Sequence, residues 1–358
     1  MPYNADVKSW DVIIVGGGII GLSLAVELRK QKLSVLVVER GELGREASYA
    51  AAGMLAGAGD EIPAALKPMA AQSADMYPEF VHELEDESGV KIDFRDQGTL
   101  LISQNGELKA PAELLPWERG QLLEPELNIA LLQEWKSQVA FVAERSVDPR
   151  TLTNALIKAA KHRGIDISSG TEVRALHTER ERVLGVHTDK TTYSSPLVVN
   201  CAGAWAGEIA PHRFPVRPVK GQMLAVVGGP KLTHVIRSPG VYLVPRSDGR
   251  TIVGSTLEEA GFNKQIDIDT IEALFHSAIK LIPSLAKARQ HEVWAGLRPG
   301  TPDNLPVMGP TSTLGYFVAS GHYRDGILLA PATTRILTEA IVGKAPAGLI
   351  PFSPNRFF

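Results

Sequence analysis

The sequence predicts an α/β protein of two domains, a Rossmann-like nucleotide-binding domain and a second domain built around an antiparallel sheet. Near the start, a glycine-rich turn over residues 16–21 lies between a buried-strand pattern and a helix pattern. Over residues 212–300, strand patterns and tight turns follow one another instead. At 358 residues the chain is long enough for both units.

The composition is that of an ordinary globular protein, with 44% apolar and 22% charged residues. A net charge of −3 without a Lys/Arg block gives no reason to expect a nucleic-acid partner. The single cysteine, Cys201, excludes an internal disulfide and a cysteine-based zinc site and favours a reducing compartment. The nine histidines show no HExxH or other metal-binding spacing, so we expect no metal site.

The first apolar segment resembles neither a signal peptide nor a membrane span. Acidic residues precede it and three glycines interrupt it. No other stretch approaches the roughly 20 uninterrupted apolar residues that a membrane helix needs. We therefore expect a cytoplasmic protein without a membrane span.

The opening motif matches the dinucleotide fingerprint. Residues 12–15 are β-branched and apolar, as in a parallel strand buried on both faces. Gly16, Gly18 and Gly21 then allow a tight turn, close approach of a pyrophosphate, and close helix–strand contact, respectively. This spacing predicts a nucleotide-binding turn.

The residues after the turn complete the unit. Residues 19–30 are helix-patterned, and the free N–H groups and positive dipole at the start of a helix favour phosphates. A second strand over residues 35–38 ends before Glu39, where a carboxylate would bind a ribose hydroxyl. The motif does not separate NAD from FAD.

Residues 44–57 are nearly all small. Either a helix start packs tightly there, or the backbone approaches a large flat ligand such as a flavin. Simple NAD enzymes continue with alternating strands and helices after this point, and this chain does not. The segment therefore favours a flavin.

The remaining pattern predicts the following elements: helices over residues 65–88, around 113–127, over 149–163 with Asp148 as N-cap and Gly164 at its end, and over 267–281; strands at 98–104, 171–178, 182–188 and 197–203, and within 216–228, 240–249, 250–259, 291–300 and 315–321. From these we predict a discontinuous nucleotide-binding domain (1–90, 145–210 and 310–358) and a substrate domain (91–144 and 211–309).

The last part of the chain returns to the nucleotide site. Residues 322–343 read as a loop that leads into a helix, capped by Asp325 or a neighbour. The start of that helix either directs its positive dipole at the flavin edge where negative charge collects on reduction, or begins an ordinary capped C-terminal helix.

With these motifs identified, the chain resembles the FAD-dependent D-amino acid oxidase superfamily, and within it the glycine oxidases of thiamine biosynthesis. The resemblance extends from residue 12 to about 343 through VIIVGGGIIGLSLA, SYAAAGMLA, VVNCAGAWA, VYLVPRSDGRTIVGSTLE, WAGLRPGTPDNLPVMG and GHYRDGILLAPAT. The last two stretches are the most specific.

The resemblance implies FAD as cofactor and a small amino acid and oxygen as reactants, and suggests a tetramer. It implies a substrate site of Arg298, Tyr242 and Arg324. We expect the cofactor to contact Gly16, Gly18, Ile19, Ile20, Gly21, Glu39, Arg40, Ala47, Ser48, Ala52, Gly53, Met54, Val173, Gly203, His322, Tyr323, Arg324, Asp325, Gly326, Ile327 and Leu328. At Asp325 this sequence departs from the relatives, which often carry Asn, and a carboxylate there would oppose an anionic reduced flavin.

The FAD is expected to be bound non-covalently. Covalent linkage in relatives uses a Cys or His beside the isoalloxazine, and residues 40–60 contain neither. Cys201 lies in a buried strand pattern, which leaves His322 as the candidate near the flavin in the C-terminal loop.

Arg298 also has an interpretation independent of the family. It follows the apolar strand residues WAGL, and its planar guanidinium suits bidentate carboxylate binding. The alternative is a surface arginine at a strand end. Tyr242, in an alternating strand, is otherwise a half-buried core tyrosine.

The implied reaction transfers a hydride from the substrate Cα to the flavin, which requires little acid–base chemistry of side chains and explains why no catalytic dyad is evident. Three alternatives remain open at this point: a D-amino acid dehydrogenase with another electron acceptor, a sarcosine oxidase-like enzyme, and a non-enzymatic FAD-binding protein. The last would need no substrate arginine.

Overall fold

A computed structural model describes residues 9–57, 62–103, 108 and 113–358. The strands are β1 (Val12–Val15), β2 (Val35–Val38), β3 (Met54–Leu55), β4 (Phe94–Arg95), β5 (Thr99–Ile102), β6 (Glu113–Leu115), β7 (Val139–Val142), β8 (Arg145–Val147), β9 (Asp166–Ser168), β10 (Val173–Glu179), β11 (Arg182–Thr188), β12 (Thr192–Ser194), β13 (Val198–Asn200), β14 (Arg217–Val227), β15 (Val235–Ser238), β16 (Val241–Pro245), β17 (Thr251–Gly254), β18 (Arg289–Gly300), β19 (Val307–Pro310) and β20 (Tyr316–Ser320).

The helices are α1 (Ile19–Lys30), α2 (Ala47–Ala50), α3 (Lys67–Ser88), α4 (Trp117–Leu123), α5 (Ile129–Glu134), α6 (Pro149–His162), α7 (Ile268–Leu281) and α8 (Gly326–Ile341). Short 3₁₀ helices cover Gly203–Glu208, Pro283–Lys287, Ala347–Phe352 and Pro354–Phe357. None of the described helices combines the length and apolarity that a membrane crossing requires.

The six-stranded sheet has the order β19-β20-β13-β1-β2-β9, with every pair parallel except β19–β20. Side chains of β1 alternate between its two faces. Val12 and Ile14 pack with α1, α3, α6 and α8, while Ile13 and Val15 pack towards the β10–β12 sheet. Burial on both faces explains the unbroken apolar run of this strand.

The eight-stranded sheet has the order β18-β14-β17-β16-β15-β5-β7-β6 and is antiparallel except at β15–β5. On one face, Leu224 of β14 packs with α7. On the other, Met223 and Ala225 pack against Ala52, which belongs to the small-residue segment after β2. This second face turns towards the glycine-rich turn and forms one side of the site described below.

The α/β fold class predicted from the sequence is confirmed, and one predicted element is wrong in part. Residues 113–115 form β6 rather than the start of a helix; the helix begins only at Trp117, after Pro116. The segment pairs with β7 at the edge of the sheet. Tertiary pairing therefore outweighs local helix propensity there.

The predicted domain limits can be compared with sheet membership, although they stay a prediction. β5, β6 and β7 join the sheet of β14–β18, as a substrate domain that includes residues 91–144 would require. β19 instead pairs with β20 in the six-stranded sheet, although its first three residues, 307–309, lie on the substrate side of the limit placed at 309/310.

Candidate functional site: a cofactor cavity that ends at an arginine

A cavity of about 550 Å³ lies between the two large sheets. It begins at the carboxyl ends of β1 and β2, marked by Val15 and Val38, and passes the first turn of α1. It ends at β14, β16 and β18, beside Arg298. The cavity volume is typical of ligand sites, and its position at the carboxyl ends of parallel strands is where α/β sheets bind nucleotides.

The glycine turn brings the backbone to the cavity wall. A Cβ on Gly16 would lie 2.4 Å from the carbonyl oxygen of Cys201, and the residue has a φ of +106°. α1 begins after Gly18, whose position lacks a side-chain cap, and the Oγ of Ser48 accepts the Ile19 N–H at 2.8 Å instead. The small-residue segment therefore caps the helix that faces the ligand.

Glu39 stands at the end of β2 on the cavity wall, as the motif predicts. Its two carboxylate oxygens each accept a backbone N–H at 2.8 Å, from Gly17 and from Gly41. The side chain thus holds the glycine turn in addition to facing the cavity. Each carboxylate oxygen has a second lone pair left for a ribose hydroxyl.

We expect Glu39→Ala to raise the dissociation constant of FAD about tenfold or more, because a charged hydrogen-bond acceptor contributes roughly 1.5–3 kcal/mol. Fluorescence titration of the apoprotein with FAD measures this constant. Glu42→Ala is the matched control, since Glu42 is exposed and its ion pair is with Arg45. An unchanged constant in Glu39→Ala would remove Glu39 from the cofactor site.

Residues 47–54 form the wall between the glycine turn and the eight-stranded sheet. Ala47, Ser48, Ala52, Gly53 and Met54, for which the family resemblance implies contact with the cofactor, all line the cavity. Gly53 has a φ of +73°, and a Cβ there would lie 1.9 Å from the Val147 carbonyl oxygen. The segment is thus pressed against β8 and presents backbone and methyl groups to the cavity.

Arg298 projects from β18 at the far end of the cavity. Its Nη1 donates to the carbonyl oxygens of Lys220 and Thr256 at 3.3 and 3.2 Å, and its Nη2 donates to the Oγ of Ser255 at 2.7 Å. Gly221 makes room for the guanidinium, because a Cβ there would lie 2.3 Å from Nη1. Within the described part of the chain, no carboxylate forms an ion pair with Arg298 and no hydrogen bond involves its Nε.

The electrostatic surroundings of Arg298 favour an anion. Burial lowers the pKa of its guanidinium. The neighbouring Tyr242 raises this pKa, and the neighbouring cation Arg324 lowers it again. Despite this lowered pKa, a guanidinium stays protonated, so Arg298 is a desolvated positive charge beside the positive charge of Arg324. A carboxylate bound here would relieve both effects.

Tyr242 lies beside Arg298 because Gly254, which faces Tyr242 on the neighbouring strand β17, carries no side chain. In the sheet register, Tyr242 of β16 pairs with Gly254 of β17, which pairs with Met223 of β14. A Cβ on Gly254 would lie 2.4 Å from the tyrosine ring, whose hydroxyl reaches the Met223 sulfur at 3.8 Å. The ring therefore lies across β17, on the cavity face of the sheet.

The first turn of α8 forms another part of the wall, with Gly326 and Ile327 on the cavity. Pro331 lacks an N–H group and cannot donate to the carbonyl oxygen of Ile327 four residues earlier. The Tyr77 hydroxyl of α3 donates to that oxygen at 2.5 Å instead. The start of α8 is thereby fixed from outside the helix, with its positive dipole end on the cavity.

His322, just before α8, lies on the wall as a neutral imidazole. Burial lowers its pKa to about 3. Its Nε2 lies 3.1 Å from the Oγ1 of Thr333. Asp325 occupies the N-cap position of α8, but its side chain accepts no cap hydrogen bond from the helix, unlike the cap predicted from the sequence.

The structure brings most predicted site residues to one cavity. All three predicted substrate residues line it, as do these predicted cofactor residues: Gly16, Gly18, Ile19, Ile20, Glu39, Arg40, Ala47, Ser48, Ala52, Gly53, Met54, Val173, Gly203, His322, Tyr323, Arg324, Gly326 and Ile327.

Gly21, Asp325 and Leu328 do not belong to that wall. Gly21 lies beneath the turn, where a Cβ would be 2.0 Å from the Gly16 carbonyl oxygen. Leu328 is buried in the helix packing, since successive helical residues point about 100° apart and its two predecessors face the cavity. Asp325 does not line the described cavity wall, although its neighbours Arg324 and Gly326 do.

Sequence reasoning missed Trp205 and Phe262, which lie on the cavity wall together with the predicted cofactor residue Arg40. The Arg40 guanidinium lies 3.5 Å from the ring centre of Trp205, which also stacks on Phe262 at 5.2 Å. All three line the cavity and come from distant parts of the chain. Trp205 belongs to the stretch VVNCAGAWA, whereas an apolar residue in a polar loop was the only indication for Phe262.

The wall fits a flavin dinucleotide. At one end, a helix start and a carboxylate suit pyrophosphate and ribose. In the middle, residues 47–54 offer a surface without bulky side chains for a flat ring system. A second helix start lies at the ring end, where negative charge would collect. No three His, Cys, Asp or Glu side chains cluster as a metal site among the residues that the structure describes.

Comparison with known proteins identifies the family. The family model described as FAD dependent oxidoreductase (DAO) matches residues 11–340. The chain belongs to this FAD-dependent oxidoreductase family. The resemblance seen in the sequence is therefore confirmed, together with FAD as the cofactor.

Individual members of the family match over nearly the whole chain. Glycine oxidase from Pseudomonas aeruginosa is 34% identical, over 94% of this chain and 95% of its own. The crystal structure of glycine oxidase from Geobacillus kaustophilus superposes with a TM-score of 0.90 at 31% identity, over 97% of this chain and 99% of its own.

A longer relative matches as well. The bifunctional protein ThiO/ThiG of Synechocystis sp. is 37% identical over 97% of this chain, and the match covers 54% of that protein. The chain therefore spans about half the length of this bifunctional relative.

We predict that this family member binds FAD without a covalent link. Burial raises the pKa of the Cys201 thiol far above its ordinary value, so the thiolate that would attack a flavin is scarce. Acid precipitation should leave yellow FAD in the supernatant. Colour that stays with the precipitated protein would contradict the prediction and point to His322.

Proposed function

We propose that this protein oxidises glycine and other small amino acids, such as sarcosine and small D-amino acids, at the expense of oxygen. The observation that carries the proposal is the desolvated Arg298, without a carboxylate partner in the described chain, at the end of an FAD-binding cavity. The names of the glycine oxidase relatives support it.

The reaction removes two electrons and two protons from the amino acid. When bound on the wall formed by the glycine turn, Glu39 and residues 47–54, FAD would supply the redox chemistry, namely a hydride acceptor for the Cα hydrogen and a route for the two electrons to oxygen, which leaves as hydrogen peroxide. The resulting imine takes up water and yields a 2-oxo acid and ammonia. For glycine, one molecule each of glycine, oxygen and water gives glyoxylate, ammonia and hydrogen peroxide.

The protein's own residues bind and orient the substrate. In this proposal the N–H groups on the Nε side of Arg298 donate to the substrate carboxylate, and Arg324 adds positive charge nearby. Tyr242, positioned across Gly254, limits the room beside the carboxylate. Glycine offers almost no side chain, so orientation of its Cα depends on the carboxylate contacts.

The proposal extends to the use of the product. From the resemblance to the thiamine-biosynthesis glycine oxidases, we infer that the glycine imine is the product withdrawn for thiazole synthesis. Assembly into a homo-oligomer, with the tetramer as the expected form, also stays a prediction.

Mixing the holoprotein with glycine, first without and then with air, tests the activity. Anaerobic glycine should bleach the flavin band, and air should restore it with formation of hydrogen peroxide. Bleaching without recovery in air, but with recovery on a quinone, would indicate a dehydrogenase. A preference for sarcosine in kcat/KM would indicate a sarcosine oxidase-like enzyme, and no bleaching with any amino acid would contradict the proposal.

A further inference from the structure

Arg246 is a buried cation that the reaction does not require as a ligand for the substrate. It follows β16 at the start of the tight turn to β17, where its N–H donates to the Arg250 carbonyl oxygen at 2.8 Å. Its side chain is 5% exposed. Nε and Nη1 are buried without a hydrogen-bond partner among the described residues, and the nearest carboxylate oxygen, on Asp148, lies 4.0 Å from Nε.

Stability alone does not account for such a residue. Burial lowers the pKa of this guanidinium and so disfavours its charge. Buried donors without acceptors cost free energy, and an apolar side chain of similar size would avoid that cost. The reason for a buried arginine at this position must therefore lie in the groups that its guanidinium contacts.

Among the described residues, the Arg246 guanidinium makes one hydrogen bond, and this bond reaches the cavity wall. Its Nη2 donates to the carbonyl oxygen of Ala52 at 2.6 Å. Ala52 and Gly53 line the cavity, whereas Arg246 does not. Arg246 therefore approaches the Ala52–Gly53 peptide from the side away from the cavity.

The geometry of that peptide fixes the direction of its N–H group. In a trans peptide the C=O and N–H bonds point in opposite directions, so a carbonyl directed at Arg246 leaves the Gly53 N–H directed towards the cavity. No acceptor for this N–H exists among the hydrogen bonds of the described chain. The guanidinium charge also polarises the peptide and makes its N–H a stronger donor.

We propose that Arg246 is a positioning residue for the cofactor: it holds the Ala52–Gly53 peptide so that the Gly53 N–H serves as a hydrogen-bond donor to the FAD ring system. The donor and the charge behind it favour negative charge on the ring. The inference rests on FAD binding by the family and not on the identity of the amino acid substrate.

The test compares Arg246→Met with Arg250→Met. Arg250 lies in the same turn and donates to Asp148 at 3.0 Å, but among the described residues no hydrogen bond joins it to Ala52. Arg246→Met should raise the FAD dissociation constant about tenfold or more, lower the midpoint potential of bound FAD, and shift its visible spectrum. Arg250→Met should leave all three near the parent values. Arg246→Lys, which keeps the charge and a donor, should recover part of the loss.

A purely structural role would give a different result. If Arg246→Met lowered only the melting temperature and kept the parental potential and FAD affinity, the proposal would be overturned. A measurement on the parent protein covers the case in which Arg246→Met does not fold. Hydrogen exchange at the Gly53 amide should slow markedly when the apoprotein binds FAD; equal exchange rates in the two forms would equally overturn the proposal.

Discussion

Arg298→Ala should lower kcat/KM for glycine about thirtyfold or more while the protein keeps its FAD. Loss of one partner of a desolvated charge pair costs roughly 2–5 kcal/mol, and each 1.4 kcal/mol corresponds to about a tenfold change. Glycine has no other large group through which the enzyme could recover the binding energy. Arg298→Lys should recover only part of the activity, because an ammonium keeps the charge and loses the two-pronged geometry.

Steady-state kinetics with glycine and with small amines that lack a carboxylate checks this prediction. Small amines without a carboxylate should be affected far less than glycine by either substitution. Arg289→Ala is the matched control, since Arg289 is exposed at the opposite end of the same strand. If both Arg298 variants oxidise glycine like the parent, the carboxylate binds elsewhere in the cavity.

Gly21→Ala should prevent stable FAD binding and destabilise the protein by about 1–3 kcal/mol or more, as overpacking of a close contact does. The new Cβ would lie 2.0 Å from the carbonyl oxygen of Gly16 and 3.2 Å from the Cγ2 of Ile14. The first of these atoms belongs to the backbone and cannot rotate away. α1 must therefore move off β1, and the phosphate-binding turn moves with it.

Thermal unfolding and FAD titration of the same variant measure the two effects. Gly41→Ala serves as the control, because a Cβ there would meet only the end of the Glu39 side chain at 3.8 Å. It should retain FAD and melt near the parent temperature. Parental FAD affinity in Gly21→Ala would show that the turn tolerates displacement of the helix.

Much of the cofactor half of the site could be predicted because its chemistry is local in the sequence. Gly16, Gly18 and Glu39 lie within one strand–turn–helix–strand unit, so spacing alone brings them together. Asp148 is a similar case: its side chain accepts the Arg150 N–H at 2.9 Å and caps α6 as predicted. Resemblance added Arg298, Tyr242 and Arg324, which no local spacing connects.

The residues that were missed act through contacts over long sequence distances. Phe262 meets Trp205 and Arg40 only after the two large sheets come together. Arg246 reads in the sequence as one more polar residue of a turn, and only the folded chain brings it to the Ala52 carbonyl oxygen. The strand at residues 113–115 was missed for the same reason, since its pairing partner begins at Val139.

The sequence by itself determined the α/β class, the nucleotide-binding turn and the oxidoreductase family. Hydrophobic periodicity, glycine spacing and the short motifs shared with the family are all properties of neighbouring residues. Only the tertiary structure decided which face of each element meets the cofactor. Pro331 illustrates this: it removes a donor from α8, and Tyr77, some 250 residues earlier, makes the hydrogen bond that fixes the helix start on the cavity. Such hydrogen bonds form only when separate elements pack together. The packing free energy that selects them depends on residues far apart in the sequence, so no local sequence pattern predicts them.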